Sequence, residues 1–341
     1  MSVKAASRAP ILVVFSLLLL LPAAAYAAGP VNPGSFSKHA GNPVVPAGAA
    51  GSWDASTAMA PSVVFVGGQY HMWFVGAAAP AFVGRVGHAT SPDGLTWSKD
   101  SAPALDVGSP GEWDSKSILG VSVLFDGGFY RMWYAADNGS TVQIGYATSD
   151  DGLTWVKLAD PVLSPDGSSW EQARISWPCV IKVGGRYHMW YRGGNIPNTA
   201  IGYATSTDGV NWVKHSGNPV FTGGDVGDWD DVLEAAAVTH DGFLYHMWYS
   251  GAGANDVGQV GHAFSADGVN WTRTGIVLAN GAAGAFDALG ADYAFVRLED
   301  STYKMWYSGL SEEAYQIGYA EGAGVASHWL YVPVVLRNYG P

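Results

Sequence analysis

Acidic, basic and aromatic side chains that break an otherwise regular pattern are where chemistry could reside in this chain. Asp231 and Glu234 stand at the start of one apolar run, Asp292 and Tyr293 at the start of another, and Arg174 and Trp177 at the start of a third. Arg192 ends the run after Trp177, and Asp137 with Asn138 ends a similar run earlier in the chain. Two carboxyl groups held in different surroundings can divide the roles of proton donor and acceptor, because burial and neighbouring charge move their pKa values apart. A Trp face flanked by Arg offers an apolar platform together with hydrogen-bond donors. None of this can act unless segments distant in the chain meet at one place, so the elements that carry them decide the matter.

Those elements repeat. A Met-Trp pair recurs in YHMWF at 70, YRMWY at 130, YHMWY at 187, YHMWY at 245 and YKMWY at 303, at spacings of 60, 57, 58 and 58 residues. Each pair is preceded by an aromatic-acid element (Trp53-Asp54, Trp113-Asp114, Trp170-Glu171, Trp229-Asp230, Phe286-Asp287) and an apolar run. It is followed by a run such as IGYATS or VGHATS. Short alternating runs divided by Gly and Asp turns predict antiparallel strands, four to a unit. Five such units predict an all-β, five-bladed β-propeller over 28–321, with blades near 46–100, 101–158, 159–215, 216–274 and 275–321. The fifth unit stops after IGYAEG without a fourth strand, while FSKHAGNPVV at 36–45 nearly matches WVKHSGNPVF at 212–221. Phe36 to Lys38 is therefore expected to supply the missing outer strand and close the last blade, hiding an open edge.

Four units also share a turn: SPDGLTW at 91, SDDGLTW at 149, STDGVNW at 206 and SADGVNW at 265. Its Asp can accept backbone N–H groups of its own turn, and its Gly supplies the positive φ that such turns need. A feature written at the same place in four units holds shape. It resembles the Asp-box of sialidase propellers, one residue shorter between Asp and Gly.

The five-fold pattern, the DG-x-x-W turn and the G-x-Y-x-M-W-Y strand resemble the five-bladed clan of arabinanases, β-xylosidases, invertases and levansucrases, and the related mannoside phosphorylases, over residues 36–321. That resemblance implies three carboxylates where the innermost strands begin, at positions matching Ala60, Gly120 and Ser176 here. None of the three is an acid. Cleaving a glycosidic bond by this chemistry needs two carboxyl groups about 5 to 9 Å apart, and two replacement sets are open. Asp54, Asp114 and Glu171 keep the order Asp, Asp, Glu, although Asp230 and Asp287 repeat the same position and favour a scaffold role. The other set is Glu234, Asp292 and Asp231 as catalytic acids, with Trp177, Arg174, Arg192, Tyr293, Asp137 and Asn138 as substrate-binding groups. In a propeller the start of the inner strand and the end of the second strand share one face, so this second set converges on one funnel mouth suited to a sugar; Arg174 and Arg192 could equally serve to neutralise nearby acids.

Bulk properties narrow the partners. Lys4 and Arg8, an apolar run over 11–21, Pro22 and Ala25-Tyr26-Ala27 predict a signal peptide over 1–27, cleaved after Ala27, and hence an exported or cell-surface protein with no membrane span after its removal. The net charge of -12 argues against nucleic acid as a partner. A single cysteine, Cys179, excludes an intrachain disulfide and is expected to be buried and inert. His71, His188 and His246 share one strand position and His88 and His262 another, which reads as scaffold, so no metal and no cofactor are expected. A monomer acting on carbohydrate is the leading reading, a glycan-binding or surface scaffold protein without catalysis the alternative. A sialidase-like enzyme and a phosphorylase are disfavoured, the latter because an exported protein meets little phosphate. The tail 322–341, ending HWLYVPVVLRNYGP, carries no functional reading.

Overall fold

The structure, a computed structural model, describes residues 33–253 and 257–324. The expected signal peptide and the tail beyond 324 lie outside the described residues. All the described elements are strands. A short strand β1 (Ser37–Lys38) leads into β2 (Thr57–Val66), β3 (Gln69–Ala77), β4 (Arg85–Ser91) and β5 (Ser98–Lys99). The next run is β6 (Ser117–Asp126), β7 (Phe129–Asp137), β8 (Val142–Ser149) and β9 (Val156–Lys157). Then come β10 (Ile175–Val183), β11 (Arg186–Asn195), β12 (Asn198–Ser206), β13 (Trp212–Lys214) and β14 (Phe221–Thr222). The last two runs are β15 (Val232–His240), β16 (Tyr245–Ala252), β17 (Gly258–Ser265) and β18 (Thr272–Leu278), then β19 (Gly290–Glu299), β20 (Thr302–Leu310) and β21 (Tyr315–Ala323). From β2 onward, neighbours within each run pair antiparallel, with β14 on β12 beside β13, and single parallel bridges such as Thr57 to Tyr315 and Gly258 to Gly290 join runs into a larger sheet. The first strands pack side by side in the order β2, β6, β10, β15, β19 and back to β2.

The repeated Trp explains why the runs adhere. Strand alternation sends Tyr and Met of YxMWY to one face and Trp to the other. Trp73 thus packs on Tyr130, Met132 and Tyr134, and Trp133 on Tyr187, Met189 and Tyr191. Trp190 meets Tyr245, Met247 and Tyr249, Trp248 meets Tyr303, Met305 and Tyr307, and Trp306 returns to Tyr70, Met72 and Phe74. All five indoles are fully buried, each worth several kcal/mol at about 25 cal/mol per Å².

The repeated turn latches the same contacts. In the first copy Asp93 Oδ1 accepts Leu95 N–H and Thr96 N–H at 2.8 and 2.7 Å, and these bonds hold its carboxyl down to a pKa of about 2. The carbonyl of Gly94 (φ 79°) then accepts the indole N–H of Trp306 at 2.8 Å. Gly152, Gly209 and Gly268 receive Trp73, Trp133 and Trp190 in the same way. The fifth run has no such turn, and Trp248 turns to Thr239 Oγ1 at 3.3 Å. There Phe36 packs edge-on against Trp248 at 5.3 Å, and β1 pairs with β21 through Ser37 to Glu321 and Lys38 to Ala320.

Candidate functional site

Asp54, Asp114 and Glu171, one of the two acid sets, belong to this scaffold. Lys99 Nζ reaches Asp54 at 2.6 Å, Lys157 reaches Asp114 at 2.8 Å and Lys214 reaches Glu171 at 2.6 Å. Arg273 and Lys38 hold Asp230 and Asp287 at 3.1 and 2.5 Å. Tyr134, Tyr191, Tyr249 and Tyr307 each add a hydroxyl from the strand behind. Every one of these carboxylates is buried and spoken for, so each ties the approach to a first strand to an outer strand: β5, β9, β13, β18 and, for Asp287, β1.

The other set depends on a β-bulge near the start of each first strand. Register slips between Met59 and Ser62, Ile118 and Gly120, Ser176 and Cys179, Leu233 and Ala235, and Asp292 and Phe295. Counting back from the Val that faces Met in every run puts Met59, Leu119, Ser176, Glu234 and Asp292 at one equivalent position. Carboxylates therefore occupy that position in the fourth and fifth runs. The next residue is forced to positive φ in three runs: Ala60 (53°), Trp177 (51°) and Tyr293 (47°). For bulky side chains this conformation is strained, by about 1–3 kcal/mol each. Such a bulge re-aims side chains, and here it brings Trp177 and Tyr293 face to face, ring centres 4.4 Å apart at 31°.

Around that pair the cluster closes. Arg192, opposite Ser176 in register, donates from Nη1 to Glu234 Oε2 at 2.6 Å. The Tyr293 hydroxyl donates to the same oxygen at 3.2 Å. Tyr315 stands edge-on to Tyr293 at 6.3 Å. Asp292 is only 6% exposed, and burial, with the negative charge of Glu234 next, lifts its pKa to about 7. Burial and the same two acids push the Tyr293 phenol well above 10. Two glycines make the seats: a Cβ on Gly258 would lie 1.8 Å from Asp292 Oδ1, and one on Gly120 would lie 2.6 Å from Trp177 Cε3. Ser176 Oγ, Trp177 Nε1, Arg192 Nε and Asp292 Oδ1 are all buried without a hydrogen-bond partner. Unsatisfied buried polar atoms are rare enough that four in one cluster call for an explanation. Trp177 and Tyr293 border a central cavity of about 40 Å³, with Pro61, Val121, Cys179 and Ala236.

The structure thus brings together Glu234, Asp292, Trp177, Tyr293 and Arg192. The remaining candidates have local tasks. Asp231 Oδ2 accepts Gly227 N–H at 3.0 Å, and the Arg174 carbonyl accepts Gly194 N–H at 3.2 Å. Asp137 accepts Gly139 N–H, and Asn138 accepts Ser140 and Thr141 N–H, so this pair shapes its own turn. Cys179, expected to be buried, is half-buried beside the central cavity. Its Sγ accepts Val238 N–H at 3.1 Å, and burial raises its pKa to about 12. Ser62 and Ser122 accept Val123 and Val180 N–H in the equivalent way, so the thiol stands in for a serine hydroxyl. His71 meets His88 at 3.2 Å and His246 meets His262 at 3.0 Å. Among the described residues no group of His, Cys, Asp and Glu is arranged to hold a metal ion. Sequence reading passed over Tyr315; its only signal was an aromatic where the same register holds Gly84, Val142, Thr199 and Gly258.

No family profile matches the chain. It is 33% identical over 150 residues to an uncharacterized protein of Mycobacterium tuberculosis, covering 42% of this chain and 49% of that protein. It is 27% identical over 123 residues to a 1,2-beta-oligomannan phosphorylase of Thermoanaerobacter sp., covering 33% and 41%. The chain spans about half the length, or less, of these curated relatives. Among solved structures it is similar to a glycosyl hydrolase from Bacteroides ovatus (TM-score 0.68, 19% identity, 84% of this chain and 93% of that one). It is also similar to a beta-1,2-mannobiose phosphorylase from Listeria innocua (TM-score 0.66, 15% identity, 84% and 96%). At these identities the likeness is one of fold.

Proposed function

We propose that the chain is a carbohydrate-active five-bladed β-propeller of glycosidase type that cleaves a mannose-containing oligosaccharide at the mouth formed by Glu234, Asp292, Trp177, Tyr293 and Arg192. The observation that carries this reading is the carboxyl pair: Glu234 is held by Arg192 at 2.6 Å, while Asp292, buried beside it, keeps its proton up to about pH 7. One carboxyl of the pair thus faces a guanidinium and the other is buried and holds on to its proton, the difference in surroundings that glycoside cleavage asks of two acids. Trp177 offers a platform beside them, and the unpaired Trp177 Nε1, Arg192 Nε and Ser176 Oγ are donors for sugar oxygens. Mannosides come into the reading from the names of the similar proteins, oligomannan and mannobiose phosphorylases. Hydrolysis is preferred to phosphorolysis, since the export expected from 1–27 would remove the protein from cellular phosphate. In this reading the protein is a monomer, its blades follow the boundaries near 46–100, 101–158, 159–215, 216–274 and 275–321, and Phe36–Lys38 completes the last blade.

The alternative, a glycan-binding protein without catalysis, is favoured by the replacement of three acids of the resembled clan by Ala60, Gly120 and Ser176. Incubating the protein with β-1,2-, β-1,4- and α-linked manno-oligosaccharides, with and without phosphate, separates the two. Free mannose released without phosphate, and lost in Glu234→Gln and Asp292→Asn, supports hydrolysis. Release that requires phosphate refutes the hydrolytic preference, and binding with no cleavage leaves only the alternative.

A further inference from the structure

We infer that the nucleophile at this mouth is the phenol oxygen of Tyr293, with Glu234 as its base and Asp292 as the acid, so that cleavage passes through a tyrosyl-glycoside and retains configuration. The inference rests on the carbohydrate reading above and adds the group that attacks.

Three observations converge on Tyr293. It borders the central cavity, which Glu234 does not, and its hydroxyl donates to Glu234 Oε2 at 3.2 Å. That same oxygen accepts from Arg192 Nη1 at 2.6 Å, which fixes the Glu234 carboxylate beside the phenol. The backbone supports the phenol at a cost. Tyr293 sits at φ 47° on the bulge, its N–H fixed by Ser250 Oγ at 2.7 Å and its ring held between Trp177 and Tyr315. Strain retained at one point by surrounding contacts is characteristic of sites where geometry matters more than stability. The phenol, pushed well above its ordinary pKa, is neutral and inert without a base, and the base is in place.

The steps balance. Tyr293 Oη bonds to the anomeric carbon as the bond to the leaving oxygen breaks; the phenol proton passes to Glu234 and the Asp292 proton to the leaving oxygen. Water then attacks the anomeric carbon, giving its proton to Asp292, and the carbon–Oη bond breaks as Glu234 returns its proton to the phenolate.

The test uses 2,4-dinitrophenyl β-mannoside as substrate and 2-deoxy-2-fluoro-β-mannosyl fluoride as a trap, on the intact chain. Proton NMR should show retained configuration, and mass spectrometry should place the fluoromannosyl adduct on Tyr293. Tyr293→Phe, which keeps the ring stacked on Trp177, should abolish the adduct and lower kcat at least about a hundredfold. Asp292→Asn should lose activity on mannobiose but still release a burst of dinitrophenol, whose departure needs no proton, followed by slow turnover because water has lost its base. An inverted product, or an adduct on Glu234 or Asp292, overturns the tyrosine while leaving a carbohydrate enzyme standing. Absence of any cleavage, with the Tyr293→Phe variant folded as judged by circular dichroism, overturns this inference and the hydrolytic reading together.

Discussion

Replacing Asp292 with Asn should stabilise the protein above neutral pH and leave it nearly unchanged in acid. The folded carboxyl titrates at about 7 against an ordinary 3.8. Between those values the unfolded chain has released the proton that the native state still holds, so wild-type stability must fall with rising pH and level off above about 7. At 1.36 kcal/mol per pKa unit the interval amounts to about 4 kcal/mol. Asn has the same shape, never ionises and escapes that loss. Urea unfolding followed by Trp fluorescence at pH 4, 5.5, 7 and 8.5 would read the difference between variant and wild type, cancelling every other titrating group. The difference should grow from near zero to about 4 kcal/mol in favour of Asn. A difference that stays flat across this range would show that Asp292 ionises normally, and the division of the carboxyl pair would fall with it.

Asp93→Ala and Asp208→Ala should each cost about 1–2 kcal/mol, the usual price of a lost side-chain cap, with glycan affinity unchanged; lost affinity at full stability would make the turn functional. Deleting residues 36–45 removes β1, the Phe36 contact with Trp248 and the Lys38–Asp287 pair, so thermal unfolding should move markedly lower, and an unchanged midpoint would refute β1 as a structural strand. Trp177→Ala should weaken manno-oligosaccharide binding by about 1–3 kcal/mol in titration calorimetry; unaltered binding would mean that the indole only fills the channel.

The repeat made the strand order legible because it is written in residues with one physical use. An Asp-Gly turn, a YxMWY strand and an aromatic-acid pair each recur at nearly the same distance, and the structure gives each equivalent contacts, except that Trp248 bonds Thr239 where the other four indoles bond a turn glycine. Less legible was why the turn must repeat. That its Gly carbonyl receives the indole of a neighbouring run, as Gly94 receives Trp306, depends on two residues 212 apart in sequence. The same holds for Cys179, which sequence alone reads as a small buried apolar group and which in fact accepts Val238 N–H where other runs use Ser62 and Ser122.

The site was legible as a set of deviations but not as a geometry. Aligned on its aromatic-acid element, Glu234 falls one residue short of Asp292 and Ser176, because the run from Trp229 to Met247 is one residue shorter than its counterparts. Strand register absorbs the deficit at the bulge, where Leu233 and Ala235 pair with Gly251 and Ser250, and places Glu234 level with Asp292 on the adjoining strand. A bulge is a tertiary decision about which residue to leave unpaired, and local sequence does not encode it. Once it is placed, the electrostatics follow: two acids at equivalent positions of adjacent strands cannot both ionise cheaply in a buried mouth with one guanidinium between them. Arg192 contacts Glu234, whereas the buried carboxyl of Asp292 lies against the bare Cα of Gly258 where no donor reaches Oδ1. The proton on Asp292 therefore follows first from its burial and then from the charge of Glu234, while Arg192, set by its register opposite Ser176, faces Glu234 instead.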